Sequence, residues 1–116
     1  MNDLIKKIFK DFQVNNVKIP ISFLRYDGNS NTYITYMENY KEVELNADNE
    51  LQYYVVYYDF DVYSKGNYLE VIKELKRILE ENNFTWQPEN DSSDMYEDDT
   101  KFYHKTVCFS YIIKEE

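Results

Sequence analysis

The chain contains one histidine and one cysteine, His104 and Cys108, the residue types most used in nucleophilic and metal chemistry. They are four positions apart in a strand-like segment, so both side chains point to one face, about 13 Å apart along the strand. That distance is too long for a catalytic Cys–His pair. The sequence also lacks a nucleophile elbow, a phosphate-binding loop, an HExxH motif and a dinucleotide fingerprint. We therefore expect no enzymatic activity and no cofactor, and we expect Cys108 to be a buried, inert thiol.

The most acidic stretch is QPENDSSDMYEDDT, residues 87–100, which contains no basic residue. Its six acidic residues are Glu89, Asp91, Asp94, Glu97, Asp98 and Asp99. An EF-hand calcium loop needs a glycine at its sixth position, and this stretch has none, so no metal site is expected. We expect a solvated loop, with an acidic surface that repels DNA or binds a basic partner as the functional alternative. Met95 and Tyr96 could fold back as apolar anchors or become ordered on a partner.

Tyrosine is concentrated in ELQYYVVYYDFDVY, residues 50–63. In a strand, alternate side chains point to opposite faces, and the better core face carries Tyr54, Val56, Tyr58, Phe60 and Val62. The other face starts apolar and ends acidic. High strand propensity and tolerance of half-exposure could explain its tyrosines, but tyrosine is also enriched in protein–protein interfaces. The candidate subunit or partner interface therefore consists of Tyr53, Val55, Tyr57 and Tyr63, with Tyr33 from the preceding strand.

Hydrophobic periodicity predicts the elements that position these residues, in the order α-β-β-β-α-β-β. The first helix, 3–13, has one apolar stripe and ends near Asn15 and Asn16; the second follows Asn67. The predicted strands are 19–26, 32–45, 50–63, 84–86 and 101–113. The predicted turns are 27–31 and 46–49.

The second helix has the clearest boundary signals in the chain. Asn67 followed by Glu70 resembles a capping box, and Asn82–Asn83 can supply a left-handed ending. Ion pairs four residues apart are expected on its exposed face: Arg77–Glu81 and Lys76–Glu80.

Strands outnumber helices and follow one another as hairpins, which is typical of the α+β class. A length of 116 residues suits a single domain, 1–116, with one core. We expect a mostly antiparallel sheet with two helices packed on one face.

The formal net charge of −9 disfavours nucleic-acid binding, because such a surface repels phosphate. No apolar run approaches the length of a membrane span, so we expect no membrane partner. The first residues, MNDLIKKIFKDF, lack an apolar signal-peptide block, and we expect an intracellular protein.

Two stretches together resemble the small tail terminator, or tail-completion, proteins of long-tailed bacteriophages and prophages. They are the strand-to-helix passage YYDFDVYSKGNYLEVIKELKRILEENNFTW and the closing strand FYHKTVCFSYII. The shared pattern is an acidic aromatic strand, a capped helix, an acidic loop and a final aromatic strand. With the α-β-β-β-α-β-β order, the resemblance covers nearly the whole chain.

The resemblance implies a structural role. Such proteins form a ring, typically of six copies, that ends polymerisation of the tail tube and presents a surface to the head connector. The implied partners are other copies of the chain, the tail tube protein and the head connector proteins. The implied location is the host cytoplasm during assembly and then the virion tail. Another head–tail joining or minor tail role is the nearest alternative, and an acidic DNA mimic that inhibits a host protein is an alternative of a different class.

Overall fold

The structure, a computed structural model, describes residues 2–45 and 51–114, so the turn expected at 46–49 lies outside the described residues. The described residues form two α-helices, α1 (Asn2–Ile8) and α2 (Tyr68–Glu81). The strands are β1 (Gln13–Val14), β2 (Val17–Lys18), β3 (Ile21–Phe23), β4 (Thr32–Leu45), β5 (Leu51–Ser64), β6 (Thr85–Trp86), β7 (Met95–Glu97) and β8 (Phe102–Lys114). A single turn of 3₁₀-helix, Pro88–Asn90, lies between β6 and β7.

The main sheet has the order β3-β4-β5-β8-β6, and β7 also pairs with β8. Every pairing is antiparallel except that of β3 with β4. Strands β1 and β2 form a separate two-stranded hairpin. The prediction of an α+β fold with a mostly antiparallel sheet is confirmed.

One hydrophobic core joins both helices to the same face of the sheet. On β5 the core side chains are Val56, Tyr58, Phe60 and Val62, all buried, as the alternation predicts. Helix α1 buries Ile5, and Phe9, just after the end of the helix, places its ring 6.3 Å from that of Phe60. The apolar stripe of α2 buries Val71, Ile72, Leu75 and Leu79. Tyr36 of β4 is buried on this face while Tyr33 lies on the other.

The two ends of α2 differ in how well the sequence predicts them. At the C-terminal end Asn83 has a left-handed φ of 70°, and Phe84 donates its N–H to the carbonyl of Leu79 at 3.0 Å, which closes a Schellman motif. At the N-terminal end the predicted capping box is wrong, because the Asn67 side chain makes no cap hydrogen bond. Glu70 instead accepts a hydrogen bond of 2.6 Å from Asn15 of the β1–β2 turn.

The exposed face of α2 is paired differently from the prediction. Arg77 contacts Glu81 at 2.7 Å as expected, and it also pairs with Glu74. The predicted Lys76–Glu80 pair is absent from the described ion pairs. The ammonium of Lys76 instead lies 3.5 Å from the centre of the Trp86 ring, a cation–π contact.

Helix α1 is shorter than the predicted 3–13, because the chain turns over residues 9–11 and then forms β1. Asn15 and Asn16 do not end the helix; both have a left-handed φ, 54° and 64°, and form the two-residue loop between β1 and β2. Two positive φ values are what the type I′ turn of such a hairpin requires, and asparagine tolerates them.

Strand β3 pairs with β4 in parallel, so the hairpin predicted around the turn at 27–31 is wrong. Strand β3 ends at Phe23. The next residue, Leu24, donates its N–H to the carbonyl of Tyr36 at 2.9 Å, and its φ of 67° turns the chain away from β4. The connection 24–31 then leads the chain back to the starting end of β3. It therefore acts as a crossover and not as a hairpin turn.

We expect Tyr36→Phe to leave the free energy of unfolding within about 1 kcal/mol of the parent, because the buried Tyr36 hydroxyl has no hydrogen-bond partner among residues 2–45 and 51–114. The ring itself packs on Phe60 at 5.8 Å and on Phe23 at 5.5 Å. Tyr36→Ala is therefore expected to cost about 3–5 kcal/mol. Urea unfolding followed by Trp86 fluorescence measures both, and a large loss in Tyr36→Phe would mean that the hydroxyl has a partner.

Candidate interaction surface on the second face of the sheet

The face of the sheet opposite the helices, called here the second face, carries three different zones along its length. Strand register places Tyr63 and Tyr33 at one end, Asp59 and Asp61 in the middle, and Val55 and Tyr57 towards the other end. The candidate interface residues are thus on one face, as predicted, but the two aspartates divide them into separate groups.

The first zone is a row of stacked rings, Tyr26, Tyr33, Tyr63 and His104, called here the aromatic ladder. Their centroids are 4.5, 4.7 and 4.1 Å apart in that order, across a loop and strands β4, β5 and β8. Phe102 packs edge-on against Tyr33 and Tyr63. Burial and then the charge of Asp61 raise the pKa of Tyr63 to about 12. The rings of Tyr33 and Tyr63 are therefore packed mainly against other residues of the same chain.

Gly28 leaves the space in which the Tyr26 ring, the first of the aromatic ladder, packs against the turn. A Cβ atom at position 28 would lie 2.1 Å from the Tyr26 hydroxyl oxygen, so only glycine allows the ring to lie against this turn. The same hydroxyl accepts the backbone N–H of Ser30 at 3.0 Å.

The middle zone is acidic and partly enclosed. Asp61 accepts a hydrogen bond from the Thr106 hydroxyl and lies 3.4 Å from Nε2 of His104. Burial, followed by repulsion from Asp61, raises the pKa of Asp59. No group of three or more His, Cys, Asp or Glu side chains suited to a metal ion occurs among residues 2–45 and 51–114.

Cys108 lies in this zone and is fully buried, as predicted. Burial, and then the neighbouring charge of Asp59, raises the pKa of its thiol to about 11. The thiol is therefore protonated at neutral pH and is a poor nucleophile.

The acidic segment 87–100 is largely exposed to solvent, as its composition predicts, but it is not an irregular loop, because most of it follows the outer edge of β8. Gln87 donates its N–H to the Cys108 carbonyl and Ser92 donates its own to the Thr106 carbonyl, both at 2.9 Å. Side chains complete the pattern, because Asp91 Oδ1 accepts the Cys108 N–H and Ser92 Oγ accepts the Thr106 N–H, again at 2.9 Å. Two polar side chains thus take the place of backbone carbonyls along this edge.

The six acidic residues of that segment have different environments. Asp91 also accepts a hydrogen bond of 3.0 Å from the Trp86 indole N–H. Asp94 accepts one of 3.1 Å from the Tyr68 hydroxyl and lies 3.6 Å from the ammonium of Lys105. The others are exposed: Glu89, Glu97, Asp98 and Asp99. Tyr96 folds back onto Tyr103, with ring centroids 4.9 Å apart.

The third zone is an apolar patch, called here the distal patch, made of Met37, Tyr40, Val55, Tyr57 and Ile112. Tyr40 and Tyr57 stack almost in parallel with centroids 4.2 Å apart. Met37, Tyr40 and Ile112 are exposed by 38%, 42% and 53%, although all three are large apolar side chains. Contiguous exposed apolar area of this kind marks interaction sites more often than isolated exposed residues do.

Sequence reasoning found Val55 and Tyr57 but missed Met37, Tyr40 and Ile112 of this patch. Alternation within β8 would have placed Ile112 on the face of His104. Tyr40 was harder to place, because a bulge between Glu38 and Tyr40 reverses the alternation of β4. Tyr53 also lies on this face, beside Lys114 of β8, and is half-buried.

The chain has no match among models of protein families, and no curated protein is significantly similar to it. Neither described helix is long and apolar enough to cross a membrane.

Replacing Asp91 by alanine is expected to destabilise the chain by about 1–3 kcal/mol, because the Cys108 N–H loses its acceptor. Asp98→Ala, which changes an exposed carboxylate of the same segment, is the matched control and is expected to be neutral. Hydrogen exchange of the Cys108 amide gives the local readout. Unchanged protection in Asp91→Ala would contradict the assigned role.

Asp59→Asn is expected to raise the thermal midpoint at pH 7. The raised pKa of Asp59 means that the folded chain disfavours the charged carboxylate. Its unfavourable contribution therefore grows as pH rises through the carboxyl range, and it is absent below the unfolded-state pKa. The difference between variant and parent should shrink as pH is lowered, and Asp99→Asn, at an exposed position, is the matched control. A pH-independent difference would refute the electrostatic cause.

Proposed function

We propose that this chain is a structural assembly protein, a subunit of a closed ring of the tail-terminator type that caps a phage tail tube. The observation that carries the proposal is the distal patch, an exposed apolar surface on a sheet face that the helices of the same chain leave uncovered. Copies of the chain, the tail tube protein and the head connector are the proposed partners. Another head–tail joining role is the coarser form of the same proposal.

The shape of the sheet supports assembly. Strands β4 and β5 are 14 residues each, which corresponds to about 46 Å of extended chain, and the longest dimension of the molecule is 53 Å. The distal patch lies near the middle of these two strands, on the opposite face from the core residues Val56 and Tyr58. An apolar area on a long sheet suits contact with a neighbouring copy, because both described helices pack on the other face.

The distribution of charge favours assembly over DNA mimicry. A mimic needs carboxylates arrayed over one whole face, but Asp61, Asp91 and Asp94 accept hydrogen bonds within the chain. The exposed face of α2 mixes both signs, with Arg77 between two glutamates. The exposed acids of segment 87–100 remain available to repel phosphate in a channel or to contact a neighbour.

The first test is the mass in solution by light scattering across a salt and magnesium series, followed by negative-stain imaging with and without purified phage tail tubes. Because each copy carries −9, we expect screening by salt to favour association. The expected result is a closed ring, in solution or on tube ends. A chain that stays monomeric throughout, even with tail tubes present, would overturn the proposal.

Removing apolar groups from the distal patch should weaken association. In the double variant Val55→Thr/Tyr57→Thr, strand propensity is kept while apolar area is lost, and we expect the midpoint concentration of association to rise about tenfold or more. Leu69→Gln, which removes an exposed leucine from α2, is the matched control. Equal effects of the two variants would show that association does not depend on the patch.

A further inference from the structure

In the described part of the chain, two stretches of the sheet edge lack a partner strand, one on β4 and one on β8. Strand β4 pairs on its outer side with β3 only over residues 34–36, and in the described part of the chain residues 37–45 have no partner strand on that side. Strand β8 pairs on its outer side with β6 at Phe109 and Ser110, and no described strand covers residues 111–114 there. The left-handed φ of Leu24 turns β3 away and so leaves the β4 edge uncovered.

The pairing identifies which backbone groups face these edges. The carbonyl of Tyr36 faces outward to Leu24, and Tyr36 lies opposite Phe60 of β5. Alternation from that pair gives an outward-facing N–H and C=O to the residues opposite Val56 and Tyr54, which are Lys41 and Val43. On β8, Cys108 faces outward to Gln87 and Asp91, so Ile112 and Lys114 do as well.

These two edges fit each other in one orientation. Lys41 and Val43 lie on the helix face of the sheet, whereas Ile112 and Lys114 lie on the second face. In a parallel pair of strands, a residue whose backbone N–H and C=O point towards the neighbouring strand lies beside a residue whose own N–H and C=O point away from that pair. A β4 edge and a β8 edge with this pattern therefore pair in parallel when the helices of both copies lie on the same side.

The side chains also match in that orientation. When Tyr40 of one copy lies beside Ile112 of the next, Glu42 lies beside Lys114, all on the second face. This register joins two apolar side chains and two opposite charges, which are favourable cross-strand pairs. Pairing β4 with β4 about a twofold axis at Glu42 or at Lys41 would instead place Glu42 opposite Glu42 or Lys41 opposite Lys41, and an axis at Tyr40 would place Glu42 opposite Glu38; like charges opposite one another are destabilising.

We propose that the open edge of β4 binds the open edge of β8 from a second copy of this chain, in parallel, with Glu42 beside Lys114. Each added copy again exposes one β4 edge and one β8 edge, so the contact is heterologous and closes into a ring when the rotation per copy permits. This inference deepens the proposed function and rests on it, because both require that copies associate.

Engineered cysteines test the pairing, and buried Cys108 gives a low background. Glu42→Cys and Lys114→Cys chains are purified separately and oxidised alone and as a mixture. We expect cross-linked dimers in the mixture and not in either chain alone, and a ladder of multimers from the double variant. Dimers of Glu42→Cys alone would indicate twofold β4 pairing and overturn the inference.

A charge exchange provides a second readout that does not depend on disulfide geometry. Glu42→Lys is expected to raise the midpoint concentration of association about fivefold, and Glu42→Lys/Lys114→Glu is expected to restore it. Glu80→Lys, an equal charge change on exposed α2, controls for net charge. Association without cross-links and without rescue would overturn this inference and leave the proposed function standing, whereas a chain that never associates would overturn both.

Discussion

Strand β5 is hydrogen-bonded along both edges, to β4 and to β8, and this pairing fixes where every large side chain of the sheet points. Its even-numbered side chains from Val56 to Val62 must enter the core, and its odd-numbered side chains must lie on the second face. A slip of one residue would exchange the two sets and expose the core. The aromatic ladder, the acidic middle zone and the distal patch all depend on this one register.

The register of β5 places tyrosines on both faces of the sheet, and they make different contacts on the two faces. On the core face, burial and then the charge of Glu38 raise the pKa of Tyr58 to about 12, and its ring packs near Phe60 and Phe84. On the second face, Tyr33 and Tyr63 stack within the chain, whereas Tyr57 stacks on the exposed ring of Tyr40. Tyrosine suits all of these positions because its ring packs on neighbours while its hydroxyl tolerates water.

The sequence predicts well whatever depends on periodic burial. The core stripe of α2 and the alternation of β5 follow from a single repeated constraint, and both are confirmed. The predictions that fail concern polar side chains that have more than one possible hydrogen-bond partner. Glu70 pairs with Asn15, distant in sequence, and not with the helix start. Asp91 completes a strand edge although composition suggests a loop, because the N–H that it accepts belongs to β8. Which partner such a side chain binds depends on which distant residues meet in the folded chain, and hydrophobic periodicity gives no information on that.

The position of β8 in the chain has a consequence for synthesis on the ribosome. β5 and α2 leave the exit tunnel well before β8, which completes the sheet from residues 102–114. Roughly 50 residues separate the ends of β5 and β8. At typical elongation rates, the edge of β5 that pairs with β8 therefore stays unpaired for about 3–10 s until β8 has been synthesised. During that interval, the tyrosine-rich strand is exposed to nascent neighbours on the same polysome. Final closure of the subunit, and with it the second edge needed for edge-to-edge pairing between copies, therefore follows the synthesis of β8.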